Sequence, residues 1–152
     1  LQFARTGAKD KTETFDMCEL LTNIIAKYEN INIKKIFKGQ IYFDGRKNLI
    51  QRCINNLIDN SIKYSNNIFI TLNKSNNSIL IIIDDDGPGI PEHERENVFK
   101  PFYKIDKSRS DTKSSVGLGL SIASDIIRSH GGNIKLDSSL KNGLRTKIFL
   151  PF

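Results

Sequence analysis

The chain has no tryptophan, a single methionine, four prolines and only two cysteines in 152 residues. Cys18 and Cys53 stand far apart, form no CxxC pair, and each sits inside an apolar helical pattern. That excludes a disulfide-dense scaffold and predicts two reduced core thiols. No apolar run is long enough to cross a bilayer. A block of basic residues is also missing. The net charge is +6 and the pI near 9.3, but the lysines and arginines are scattered, which disfavours a nucleic-acid stripe and leaves an acidic or phosphorylated ligand open. What is present, 38% hydrophobic and 26% charged residues, suits one globular domain. The opening "LQFARTGAKDKTETF" reads as a helix end and polar linker. Residues 1–14 are therefore expected to be the tail of a preceding unit and 15–152 a single domain, cut from a longer protein.

Asp16 precedes the three-and-four periodicity of "MCELLTNIIAKYE" and is expected to cap a helix there. "INIKKIF" and "QIYFD" read as short strands. Asp44 is expected to cap a second helix, "RKNLIQRCINNLIDNSIKYS", with Leu49, Ile50, Cys53, Leu57 and Ile58 as its core stripe. "NIFITLNK" and "SILIIIDDD" alternate as strands joined by the hairpin "SNNS". "PEHERENVF" opens on a proline and reads as a short exposed helix. Residues 104–116 are polar and aperiodic, hence a loop. "GLGLSIASDIIRSHGG" is a helix bounded by glycines, and "NIKLDSS" and "LRTKIFLPF" are closing strands around Lys141-Asn142-Gly143. Three helices against several strands predict an α+β fold: a two-layer sandwich with the helices on one face of a mixed sheet.

Four stretches carry chemistry. In "NLIDNSIKYS", Asn56 and Asn60 lie one above the other on a helix, with Lys63 and Tyr64 following. Amide oxygens suit a hard cation that keeps its water, as magnesium does beside phosphates; alone, the pattern is equally a polar face in an Asn-rich chain. In "IIIDDDGPGI", Asp84, Asp85 and Asp86 alternate sides of a strand, so at most one can face a given pocket. The spacing fails the calcium-loop pattern. Gly87 and Gly89 let the backbone turn and approach a flat ligand, and a carboxylate there would select adenine through its exocyclic amine. In "VGLGLSI", glycines at a helix start offer free N–H groups to an anion, and Lys104, Lys107, Arg109 and Lys113 precede them. In "VFKPFYK", at least one of Phe99 and Phe102 is expected to anchor in the core.

The order and spacing of these stretches resemble the ATP-binding catalytic domain of bacterial sensor histidine kinases, in the Bergerat-fold superfamily shared with gyrase B, MutL and Hsp90. They match its N box (Asn56 to Ser65), G1 box (Asp86-Gly87-Pro88-Gly89-Ile90), F box (Phe99 to Phe102) and G2 box (Gly117-Leu118-Gly119-Leu120). "FARTG" and "DDDGPGI" look most like the EnvZ-type members. The resemblance implies ATP and Mg²⁺ as cofactors, with the metal on Asn60 and Asn56 beside it. It implies Lys63 and Lys104 at the phosphates, with Lys107 or Arg109 able to substitute, and Tyr64 near the adenine. Asp86 is expected to bind the adenine amine, and Gly117 and Gly119 to let a lid fold over the triphosphate.

One departure stands out: Ser115-Val116 replace the first Gly-Thr of the usual G2 box, which implies weaker nucleotide affinity or a slower lid. The implied reaction moves the γ-phosphoryl group to a histidine. Neither His93 nor His130 has the family's acceptor context, so the acceptor is expected on a dimerisation domain preceding Leu1. The implied partners are that domain and a response regulator of OmpR-like type, with no nucleic acid. The implied setting is the cytoplasmic side of a homodimeric inner-membrane sensor. Two alternatives stay open: an anti-sigma-factor serine kinase, and a non-catalytic nucleotide-sensing module.

Overall fold

The computed structural model describes residues 11–103, 119–140 and 142–152. Its elements are β1 (Glu13–Asp16), α1 (Met17–Ala26), β2 (Asn32–Ile36), β3 (Tyr42–Gly45), α2 (Lys47–Ile62), β4 (Asn67–Lys74) and β5 (Ser78–Asp85). Then come α3 (Gly119–Ser129), β6 (Asn133–Ser138) and β7 (Leu144–Pro151). A five-stranded sheet runs β2-β4-β5-β7-β6. Only the β2–β4 pair is parallel; the other pairs are antiparallel. The sheet is mixed, as expected, and β1 with β3 forms a separate two-stranded ribbon.

Period-two alternation decides which face the helices cover. Ile79, Ile81 and Ile83 of β5 are buried, with Ile68, Ile70 and Leu72 of β4 and Ile148 and Leu150 of β7 on the same side. Against them pack Leu20, Leu21 and Ile24 of α1, the full α2 stripe, and Ala123, Ile126 and Ile127 of α3. Each fully buried isoleucine contributes roughly 1.5–3 kcal/mol, so the isoleucine-rich β4–β5 hairpin anchors the layer. Cys18 and Cys53 are free and buried in it; burial pushes both thiols up, away from reactivity. Among the described residues no helix is long and apolar enough to cross a membrane.

Asp16 caps α1 as expected: its Oδ1 accepts the N–H of Cys18 at 3.0 Å and that of Ile41 at 3.0 Å. Asp44 does not cap α2. It lies in β3 and accepts a hydrogen bond from the Thr14 hydroxyl. The N-cap of α2 is Arg46, which has no side-chain cap of its own. Its N–H donates instead to Nε2 of His130, 3.0 Å away and 84 residues later in the chain. The Arg46 guanidinium returns the favour at the end of α3, donating to the Ser129 carbonyl (3.2 Å) and hydroxyl (3.1 Å). A cation at that helix terminus also complements its dipole. The N-terminus of α2 and the C-terminus of α3 thus satisfy each other.

Other local expectations change. Residues 13 and 14, read as linker, belong to β1, because Thr14 and Phe15 pair with Asp44 and Phe43 across the ribbon. "PEHERENVF" forms two single 3-10 turns, Glu92–Glu94 and Asn97–Phe99, rather than one helix. Gly132 is required after α3, since a Cβ there would lie 1.9 Å from the Phe149 carbonyl oxygen.

His130 donates from Nδ1 to the Ile126 carbonyl (2.8 Å) and accepts at Nε2, so the ring must be neutral. Burial lowers its pKa below the ordinary value of 6.5, and Arg46 repels the cation further. A depressed pKa means the unfolded chain binds the proton first, so this contribution is full above pH ~6.5 and is lost as pH falls through the folded value. Urea unfolding of the wild type and His130→Ala should show a stability gap at pH 7.5 that narrows on acidification to pH 5. A gap that stays constant would refute the neutral-cap role.

Candidate functional site

The three carboxylates that end β5 are each dealt with differently. Asp84 faces away from the helices and takes two hydrogen bonds from Arg145, Nε to Oδ1 at 2.8 Å and Nη2 to Oδ2 at 3.0 Å. Asp86 turns back to the start of β4. Its Oδ1 accepts the N–H of Asn66 (2.9 Å) and Asn67 (3.1 Å), and its Oδ2 accepts Nδ2 of Asn67 (2.7 Å). These donors, Asn67's side chain foremost, hold the Asp86 carboxyl below its usual range. Its hydrogen-bonding capacity is largely spent on fastening β4 to β5.

Asp85 is the one on the helix side, sharing the parity of Ile79, Ile81 and Ile83. It is 5% exposed. Its Oδ1 accepts N–H groups from Gly87 (3.0 Å) and Leu144 (3.0 Å). Its Oδ2 has no partner among the described residues. A buried carboxylate oxygen without a donor is costly, and a ligand N–H would remove that cost. The adenine acceptor expected at Asp86 therefore fits Asp85 better. Alternation along the strand carried this signal: residue 85, not 86, is in step with the buried isoleucines.

Around Asp85 the glycines allow close approach. A Cβ on Gly87 would lie 2.7 Å from the Tyr64 carbonyl oxygen and 3.3 Å from Asp85 Oδ1, so this turn abuts the exit of α2. Gly89 has φ +74°, and Gly143 is tighter still, with a Cβ position 2.1 Å from the Asp85 carbonyl oxygen. Ile90 is partly exposed and its carbonyl accepts Nε of Arg95 (3.1 Å), which also reaches the Ser138 hydroxyl (2.9 Å).

On α2, Leu57, Ile58 and Ser61 are buried while Asn56 and Asn60 are half-buried beside them. Neither amide has a hydrogen-bond partner among the described residues. Lys63 is the C-cap of α2, and Tyr64 next to it is 54% exposed. Among the described residues no group of three His, Cys, Asp or Glu side chains could hold a metal. Hard-cation binding here must then rest on amide oxygens together with ligand phosphates, which the unpartnered Asn56–Asn60 pair suits.

The F-box aromatics are not core anchors. Phe102 is 68% exposed at φ +66°, Phe99 is only half-buried, and Val98 inside the second 3-10 turn takes the buried place. Gly119 begins α3 with nothing within 4 Å of a Cβ position; Leu120 packs its side chain toward the core, so only its backbone is available to an anion. Gly117, Leu118, Lys104 and Arg109, with Lys107, Lys113 and Ser115-Val116, lie outside the described residues. His93 is exposed beside Glu94, and His130 is the cap described above. A surface hollow of about 420 Å³ lined by Lys27 to Ile31, Ile62, Ser65 and Asn66 contains none of the expected site residues.

A glycine turn holding a buried carboxylate thus lies against the exit of a helix whose Asn56 and Asn60 amides have no partner among the described residues, on a helix-backed mixed sheet. The model of the histidine kinase-, DNA gyrase B-, and HSP90-like ATPases matches residues 45–152, and the chain belongs to that family. Its relatives are sensor histidine kinases. GtrS of Pseudomonas aeruginosa is 31% identical over 96% of this chain and 30% of its own length. CpxA of Escherichia coli is 36% identical over 70% of this chain and 24% of its own. The chain thus spans less than a third of these relatives. Among solved structures, the histidine kinase domain of the E. coli osmosensor EnvZ is 30% identical with a TM-score of 0.70, over 91% of this chain and 88% of that one. The mycobacterial sensor histidine kinase MprB is 25% identical with a TM-score of 0.79, over 93% and 97%. The chain is a catalytic ATPase domain of the sensor histidine kinase type.

If Asp86 serves the sheet rather than the ligand, Asp86→Ala should lower stability by up to about 1 kcal/mol, the net worth of hydrogen bonds whose donors can turn to water, while ADP affinity changes less than threefold. Chemical denaturation and calorimetric titration of the same variant read both; loss of ADP binding with stability intact would reverse the assignment.

Proposed function

We propose that this domain binds ATP and transfers its γ-phosphoryl group to a histidine on a separate dimerisation domain, for relay to a response-regulator aspartate. The observation that carries the reading is the Oδ2 of buried Asp85, unpartnered among the described residues, beside a glycine turn that abuts the exit of α2. A carboxylate there accepts the 6-amino group of adenine. Asn60, with Asn56, holds magnesium through amide oxygens, and Lys63 contacts the phosphates; Tyr64 lies beside the base. Lys104 or Arg109 and the Gly117–Gly119 backbone complete the phosphate contacts. Bound magnesium would neutralise charge on the phosphate oxygens during transfer. The residues themselves contribute positioning and electrostatics, which is most of what phosphoryl transfer needs.

In the reaction the bond between the γ-phosphorus and the β–γ bridging oxygen breaks, ADP leaves, and a phosphorus–nitrogen bond forms on the acceptor histidine. Neither histidine of this chain is placed for that role, so the acceptor comes from elsewhere in the protein. The same reading places the domain on the cytoplasmic side of a membrane-bound homodimer, with a regulator of the OmpR-like type as its partner. The serine-kinase alternative gains no support from the relatives named above.

Calorimetric titration with Mg-ADP and Mg-GDP tests the site. The wild type should prefer ADP, Asp85→Ala should lose at least tenfold in ADP affinity, and Asn60→Ala should remove the dependence of binding on magnesium. ATP-dependent phosphorylation of the parent's dimerisation domain, supplied separately, tests the transfer. Binding without transfer would leave a nucleotide-sensing module.

A further inference from the structure

A carboxylate can receive about four hydrogen bonds, two on each oxygen. In Asp85 both places on Oδ1 are taken by backbone donors, the N–H of Gly87 from its own turn and the N–H of Leu144 from the start of β7. Backbone donors cannot swivel or change polarity. They hold the acceptor atom of residue 85 toward themselves and leave the other terminal atom without a donor among the described residues. The Leu144 donor reaches its place because residue 143 is glycine. A Cβ there would lie 2.1 Å from the Asp85 carbonyl oxygen and 2.5 Å from its Oδ1. The turn is closed on itself by the Ser139 N–H donating to the Gly143 carbonyl (2.9 Å). Asn142 before it takes φ +67°.

We infer that the Leu144 N–H, delivered by the Gly143 turn and acting with the Gly87 N–H, is the specificity-determining element of the base site. By pinning one atom of residue 85 it sets the hydrogen-bonding polarity of the other. This deepens the reading of Asp85 as the base acceptor and rests on it. Two consequences follow from the geometry. Guanine's N1–H and N2–H pair, which a free carboxylate takes with one bond to each oxygen, finds Oδ1 already full. And an asparagine at 85 cannot choose its orientation: its oxygen must stay on the two N–H donors, so its NH2 must face the base. A donor there suits a 6-oxo purine and repels a 6-amino one.

The test is calorimetric titration of this chain with ADP and with inosine diphosphate, which differs from ADP at the base by carrying a 6-oxo group in place of the amine and a proton on N1. The wild type should prefer ADP by roughly tenfold or more. Asp85→Asn, which keeps the shape of the side chain, should invert the order and bind inosine diphosphate more tightly than ADP. Asp85→Ala should weaken ADP and leave no preference. Gly143→Ala, which drives the Leu144 N–H away, should shrink the wild-type preference at least threefold, whereas a purely structural defect would weaken both nucleotides equally. If Asp85→Ala removes the preference but Asp85→Asn fails to invert it, the pinning inference is wrong and the base assignment stands. If Asp85→Ala leaves the wild-type preference intact, both are wrong. Should Gly143→Ala not fold, the Asp85→Asn inversion decides alone.

Discussion

Ionised carboxylates do not rest at the end of an apolar strand unless donors meet them, and β5 ends in three. Much of the remaining structure answers that requirement. Arg145 of β7 neutralises Asp84 on the outer face. The Leu144 N–H, one residue earlier, holds Asp85 on the inner face. The start of β4 supplies three donors to Asp86. The same strand end is thereby tied to its neighbour on each side, β4 and β7. Its glycine turn has room to lie against Tyr64 at the exit of α2. Among the described residues, one of these six oxygens is left without a donor, Oδ2 of Asp85.

The helix layer is held in register by a second constraint, the need to satisfy backbone groups at helix ends. Arg46 and His130 answer it reciprocally, and Cys53 donates weakly from α2 to the Ala123 carbonyl of α3 at 3.6 Å. α2 carries Asn56 and Asn60, whose amides have no partner among the described residues, and α3 begins at Gly119. Their shared capping therefore fixes the spacing between these two parts of the candidate site. Tyr28 plays a similar part on the far side of α2, donating to Asp59 (2.9 Å) and Asn55 (3.3 Å).

How much of this could be read from the chain depended on range. The β4 and β5 strands are legible because their isoleucines alternate without interruption, and the α2 stripe because it repeats at three and four. The Asp16 cap is legible because its partner lies two residues away. Asp44 misled because a capping residue type stood near a helix start while the actual partner, His130, lay 84 residues off. Residues 13 and 14 of β1 looked like linker because a four-residue strand with three polar positions has almost no period to detect. Asp85 was hidden by its neighbours: three aspartates stand in a row before Gly87, and only the strand's parity separates the one in step with the buried isoleucines. Phe99 and Phe102 were ranked by size, yet Val98 fits the space.

The order of the sheet has a consequence for how the domain is made. β7 follows every other described strand in sequence but lies inside the sheet, between β5 and β6. It also brings the Leu144 and Arg145 donors that Asp85 and Asp84 need. During synthesis the growing polypeptide can pair β4 with β5 early, yet residue 85 stays without its partner until residues past 144 have cleared the ribosome. The Asp85 turn is therefore completed in one late step, and a nascent chain halted before that point holds residue 85 by the Gly87 N–H alone.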